Sequence, residues 1–156
     1  MGPLRSSMGV QVMKIEAILA TVSLRLITIR PDQVVREAVG LLAEHDVGAL
    51  VVVDEPGQPL GIISERDIVR EASRSGDFLA QPVGRLMSSD LVTVSPEDDV
   101  EPVIQVMIAR HIRHLPVIDQ QGLIGVVSMR DVLKAHLGNI QGEVDTLQTR
   151  IMEEQS

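Results

Sequence analysis

A chain of 156 residues with formal net charge −8 and a single aromatic residue, Phe78, has neither the basic surface nor the stacking platforms of a nucleic-acid binder. It is long enough to bury roughly 70% of its unfolded surface, no apolar run approaches the ~20 residues that span a bilayer, and without cysteine it has no disulfide, thiol nucleophile or thiolate zinc site. No nucleic-acid partner and no membrane insertion are expected, and the cytoplasm is the expected compartment.

Residues 1–10 lack the apolar centre of a signal peptide and read as a flexible leader of the kind left by expression. Residues 12–20 have helical periodicity. A short strand is predicted at 26–29. Pro31-Asp32 then opens a helix to about residue 45, with Val34, Val35, Ala38, Leu41 and Leu42 on one face. Residues 49–53 are apolar without polar alternation, as in a strand covered on both faces. A turn at 54–57 leads to a returning strand at 60–63, and Ser64 stands at the mouth of a helix to about residue 72. Residues 73–82 are polar and glycine-containing, a linker.

The same order then recurs. A strand is predicted at 91–94, and Ser95-Pro-Glu-Asp98 is a helix start with serine at N-cap, proline at N1 and an acid at N3. Val100, Val103, Ile104 and Met107 form that helix's apolar face. A hairpin of 115–118 and 124–127 follows, and a closing helix over 129–137. The residues recur too. Gly61, Ser64, Arg66 and Asp67 return 64 residues later as Gly125, Ser128, Arg130 and Asp131, and Thr28, Pro31, Val35 and Asp54 return 65 later as Thr93, Pro96, Val100 and Asp119. The one-residue difference falls in the hairpin loop, where a deletion costs least. The chain is thus an α/β (α+β) protein with two tandem β-α-β-β-α repeats, 11–76 and 77–137, expected to pack about a pseudo-twofold axis.

A tail over 138–156 continues a stripe of Leu133, Leu137, Ile140, Val144, Leu147 and Ile151, spaced 4-3-4-3-4. Two readings stand open: a helix packed on its own domain, or a contact with a second copy. Gly138-Asn139 is a place for the helix to end, and Gly142 weakens it further.

Ser64/Asp67 and Ser128/Asp131 sit where a strand ends and a helix begins. A helix N-terminus suits a phosphate; the serine hydroxyl donates to a phosphate oxygen, and the aspartate one turn on accepts from two vicinal hydroxyls, as on a ribose. The alternative is a capping box, in which serine caps the helix and the acid returns to the serine N–H. Arg110-His-Ile-Arg-His114 is a basic knot in an acidic chain. Arg110 and His111 suit the C-terminal dipole of the preceding helix, whereas Arg113 and His114 lie at the strand entrance, where a cation beside a helix start makes an anion pocket. The first repeat has Gly48 and Ala49 there, so the two pockets should be unequal. His111 and His114 lack a clustered third ligand, so no metal site is assigned. No glycine-rich phosphate loop and no Ser/His/Asp triad can be assembled, and no catalytic residue is singled out.

Two marks of the first repeat are Gly48-Ala-Leu-Val-Val-Val-Asp54 and Gly61-Ile-Ile-Ser-Glu-Arg-Asp67. The second has Arg113-His-Leu-Pro-Val-Ile-Asp119 and Gly125-Val-Val-Ser-Met-Arg-Asp131. Together they closely resemble a pair of CBS (cystathionine-β-synthase-type) domains, a Bateman module, over about residues 10–137. The resemblance implies an adenosine-containing ligand (AMP, ADP, ATP, NAD or S-adenosylmethionine) in clefts at the junction of the repeats, and no catalytic cofactor. It implies ribose-binding roles for Asp67 and Asp131, phosphate-side roles for Ser64 and Ser128 beside Arg66 and Arg130, and adenine packing on Ile62 and Val126. Each motif would be completed by the other repeat, Asp131 near Leu24, Val47 and Gly48, and Asp67 near Ser89, Ile112 and Arg113. Similarity to the stand-alone two-CBS proteins of bacteria implies a non-enzymatic nucleotide sensor that signals to an unknown regulated protein. It also implies a homodimer through exposed helix faces, here carrying Val34, Leu41, Val103 and Met107. The competing expectation is a structural CBS dimer, an interaction module with no ligand.

Overall fold

The structure, a computed structural model, describes residues 13–21 and 26–155. They divide into two compact units. The early unit gathers the described residues of 24–93 with 116–126; the late unit gathers those of 1–23, 94–115 and 127–156. In chain order the elements are α1 (Ile15–Leu19), β1 (Thr28–Ile29), α2 (Val35–His45), β2 (Ala49–Val53), β3 (Pro59–Ser64), α3 (Glu65–Ala72), a 3-10 turn (Phe78–Ala80), α4 (Val83–Leu86), α5 (Val100–Arg110), β4 (His114–Asp119), β5 (Gly122–Ser128) and α6 (Met129–Glu154). No helix among the described residues is long and apolar enough to cross a membrane.

In the early unit β2 is central, with β1 parallel on one side and β3 antiparallel on the other. All five residues of β2 are buried, as its unbroken apolar run requires. Val35, Ala38 and Leu42 of α2 meet Ile29, Leu50, Val52, Ile63, Ile68 and Val83 in one core. In the late unit Ile15, Ile18, Val100, Val103, Met107 and Val132 are buried. Val103 and Met107 are wholly buried, so they cannot belong to the exposed helix face proposed from sequence; Ile108, 55% exposed, is the large apolar residue α5 leaves in water.

The two long central helices begin later than expected, at Val35 and Val100, and one cause serves both. Arg30 N–H donates to Gln33 Oε1 (2.8 Å), and Ser95 N–H to Asp98 Oδ2 (2.8 Å), closing a turn ahead of each helix. The turn's carbonyls are then taken by a distant segment. Val83 N–H donates to Gln33 O and Gly84 N–H to Pro31 O, at 2.7 and 2.9 Å; Ile15 N–H donates to Asp98 O and Glu16 N–H to Pro96 O, both at 2.9 Å. Val35 N–H in turn reaches Gln81 O and Val100 N–H reaches Met13 O, both at 2.9 Å. Each short helix thus docks ahead of a helix it does not adjoin in sequence: α1 on α5, and α4 on α2.

The strand expected at 91–94 is reduced to a single bridge residue, Val94. Leu91 N–H folds back onto Ser89 O (2.9 Å), which curls the segment out of an extended course. The closing helix does not stop at 137. α6 runs through Gly138 and Gly142 to Glu154, and Gln141, Thr146 and Thr149 make side-chain bonds within it.

Candidate ligand site at two capped helix starts

Both repeats fold the Ser-x-x-Asp segment the same way. β3 delivers Ser64 in an extended conformation, and its Oγ accepts from Asp67 N–H at 3.3 Å. Asp67 Oδ2 accepts from Ser64 N–H at 2.9 Å and from the Ser64 hydroxyl at 3.0 Å. At α6 the same bonds measure 3.1, 3.4 and 2.8 Å for Ser128 and Asp131. The capping box is therefore real in both copies. It engages one carboxylate oxygen; among the described residues no partner is bonded to Oδ1 of either aspartate.

A second bond closes each start. Glu65 N–H donates to Gly48 O (3.0 Å), and Met129 N–H to Arg113 O (2.7 Å). These carbonyls arrive by equivalent routes. α2 ends on Asp46 and α5 on His111, both left-handed (φ 52 and 56), a conformation that aspartate and histidine tolerate better than most residues. Val47 N–H then reaches Leu42 O (3.1 Å) and Ile112 N–H reaches Met107 O (2.9 Å), aiming the next residue at the helix start. His111 thus closes α5 by its backbone conformation.

The backbone frames match and the charges do not. Around α3 the frame holds Gly48 and, at the first helical position, the acid Glu65. Around α6 it holds Arg113, exposed at its side chain, and the neutral Met129. The basic knot flags Arg113 in the sequence; the Glu65/Met129 contrast goes unnoticed there, because only the shared Gly48 and Arg113 bonds give those positions a common role. Arg66 and Arg130 are exposed in the first turn of each helix, and half-buried His114 opens β4.

Ile62 and Val126 lie on β3 and β5, each two residues before its serine and half-buried. The outer edge of β3 carries a further bridge, Ile62 N–H to Ser88 O at 3.0 Å and Ser88 N–H to Ile62 O at 2.9 Å, and exposed Ser89 follows Ser88 in the chain. This approach requires Gly61, where a Cβ would lie 2.5 Å from Ser88 O. Leu24 lies outside the described residues. Among those described, no group of three or more His, Cys, Asp or Glu side chains is placed to hold a metal ion.

The family model of the CBS domain matches twice, over residues 16–74 and 83–138. The chain belongs to the CBS domain family. The CBS domain-containing protein YhcV of Bacillus subtilis is 34% identical over 119 residues, covering 76% of this chain and 84% of that one. The crystal structure of the CBS-domain containing protein ATU1752 from Agrobacterium tumefaciens superposes with a TM-score of 0.76 at 32% identity, over 80% of this chain and 99% of that one. The CBS domain pair of protein MJ0100, solved with 5-methylthioadenosine and S-adenosyl-L-methionine, gives a TM-score of 0.73 at 24% identity, over 83% and 99% of the two chains; at that identity the likeness is one of fold. The two capped starts described above are the Ser-x-x-Asp segments of the two CBS repeats.

Proposed function

We propose that this CBS pair is a non-enzymatic, cytoplasmic regulatory module that binds an adenosine-containing ligand at its Ser-x-x-Asp helix starts and signals to a partner protein. Asp131 and Asp67 accept from the ribose hydroxyls through Oδ1, the oxygen the capping box leaves open. Ser128 and Ser64 stand on the phosphate side, with Arg130 and Arg66 in the first turn of each helix. Ile62 and Val126, with Val47, Gly48, Ile112, Ser89 and Leu24, are the proposed adenine-side residues. The observation that carries the reading is the α6 start. Its first N–H is bonded to the carbonyl of Arg113, so a cation accompanies the positive end of a helix dipole and favours an anion there. The α3 start has Gly48 and Glu65 instead and should bind anions less well. The adenosine ligands of the MJ0100 pair are compatible with this reading.

Titration calorimetry of nucleotide-stripped protein with AMP, ATP, NAD and S-adenosylmethionine tests it. Saturable binding of at least one is expected, and AMP should bind more tightly than adenosine. Heat from none of the four overturns the proposal in favour of a ligand-free interaction module. One observation favours that second reading: in each box serine and aspartate already satisfy one another, so both motifs are complete as caps.

A further inference from the structure

Past its first turn α6 has little packing of its own. Val132 is its buried residue among those described, whereas Leu137 is 65% exposed, Leu147 56% and Ile151 53%. With Leu133, Ile140 and Val144 they form one stripe about 27 Å long, at 1.5 Å rise per residue. Its 4-3 alternation is the spacing of a coiled-coil seam. We propose that a second copy of this chain covers the stripe, as a parallel two-stranded coiled coil over residues 133–151.

The residue types favour that orientation. Leu137, Val144 and Ile151 take the a positions, and Leu133, Ile140 and Leu147 the d positions. β-Branched residues thus fill most of a and leucine most of d, the preference of parallel pairs. The flanks agree. In a parallel pair His136 faces the partner's Gln141, Glu143 the partner's Gln148, and Arg150 the partner's Gln155, with no like charges opposed. An antiparallel pair centred on Gly142 buries the stripe equally well. It sets Glu143 against the partner's Glu143, however. Gly138 and Gly142 fall on the outer face, so neither opens a hole in the seam, and the seam begins at Leu133 because the preceding a position is Arg130. A lipid surface is the poorer cover. The tail carries Glu143, Asp145, Glu153 and Glu154 against Arg150, which anionic headgroups would repel.

The chain has no cysteine, so single introduced cysteines report the seam directly. In full-length protein at micromolar concentration, mild oxidation of Leu147→Cys should give a covalent dimer. Its rate should exceed that of the outer-face variant Thr149→Cys by about tenfold, because a disulfide needs Cα atoms within about 7 Å. Ile151→Cys is the second reporter, in case the first substitution loosens the helix, and should behave like Leu147→Cys. Equal rates at 147 and 149, or no dimer from either reporter, would overturn the proposal. So would a disulfide that forms only when Leu137→Cys and Leu147→Cys chains are mixed, since that pairing is antiparallel.

Discussion

In the early unit the turn ahead of α2 is held by Gln33 and followed by Val34; in the late unit the same turn is held by Asp98 and followed by Asp99, both 4% exposed, with Lys14 Nζ 3.6 Å from the latter. Around these unlike side chains the backbone bonds are the same. A short helix donates two N–H groups into the turn, and the residue two before that helix accepts from the first N–H of the long one. The units therefore share a hydrogen-bonding frame, and side chains vary wherever the frame is already closed by backbone. At the helix starts the variation changes the charge. Gly48 and Glu65 give one start a net acid; Arg113 and Met129 give the other a cation.

The frame itself can be broken one unit at a time. Ile15 and Val83 are fully buried at equivalent places in α1 and α4. Ile15→Ala should cost about 3 kcal/mol, and Val83→Ala, which deletes less, about 2 kcal/mol. Urea unfolding gives the magnitudes, and amide exchange the location. Ile15→Ala should strip protection from α5, and Val83→Ala from α2. If both variants expose the same helix, the cross-docking of the short helices is not how the units are stabilised.

The chemical contrast comes next in size. Asp131→Ala should weaken AMP binding about tenfold or more, since losing hydrogen bonds to a charged group costs about 1.5–3 kcal/mol, and Asp67→Ala should weaken it less. Arg113→Ala should abolish any preference for AMP over adenosine. Calorimetry on the three variants checks this. Equal losses at the two aspartates would show that the charge difference between the starts has no bearing on the ligand.

The two caps should prove nearly equal. Ser64→Ala and Ser128→Ala remove the same bonds and should each cost about 1 kcal/mol in chemical denaturation. A cost confined to one of them would mean that the other serine is held for a purpose besides capping. The smallest effects are expected at the left-handed residues. Asp46→Gly and His111→Gly should each stabilise by about 0.5–1 kcal/mol, because glycine adopts positive φ without steric cost. Asp46→Gly should gain more, since it also removes a carboxylate from a helix C-terminus. Thermal unfolding midpoints should rise in both.

What the sequence determined by itself was whatever a few neighbouring residues can specify. The apolar run of 49–53 became β2 at those bounds, the Ser-x-x-Asp segments became capped helix starts, and the 4-3 stripe of the tail became one exposed helical face. Strand, cap and stripe each rest on bonds or periodicities within a few positions, so they survive in the order of residues. Tertiary structure decided where α2 and α5 begin, because their first N–H groups bond to Gln81 and Met13, residues far off in sequence that leave no periodic trace. It also decided that Val103 and Met107 face a core rather than a partner, since an apolar helix face looks the same in sequence whichever surface covers it. The pairing of Glu65 with Gly48, and of Met129 with Arg113, was likewise hidden, because each bond joins a helix to the end of a different one. Only a folded chain brings those residues into one frame.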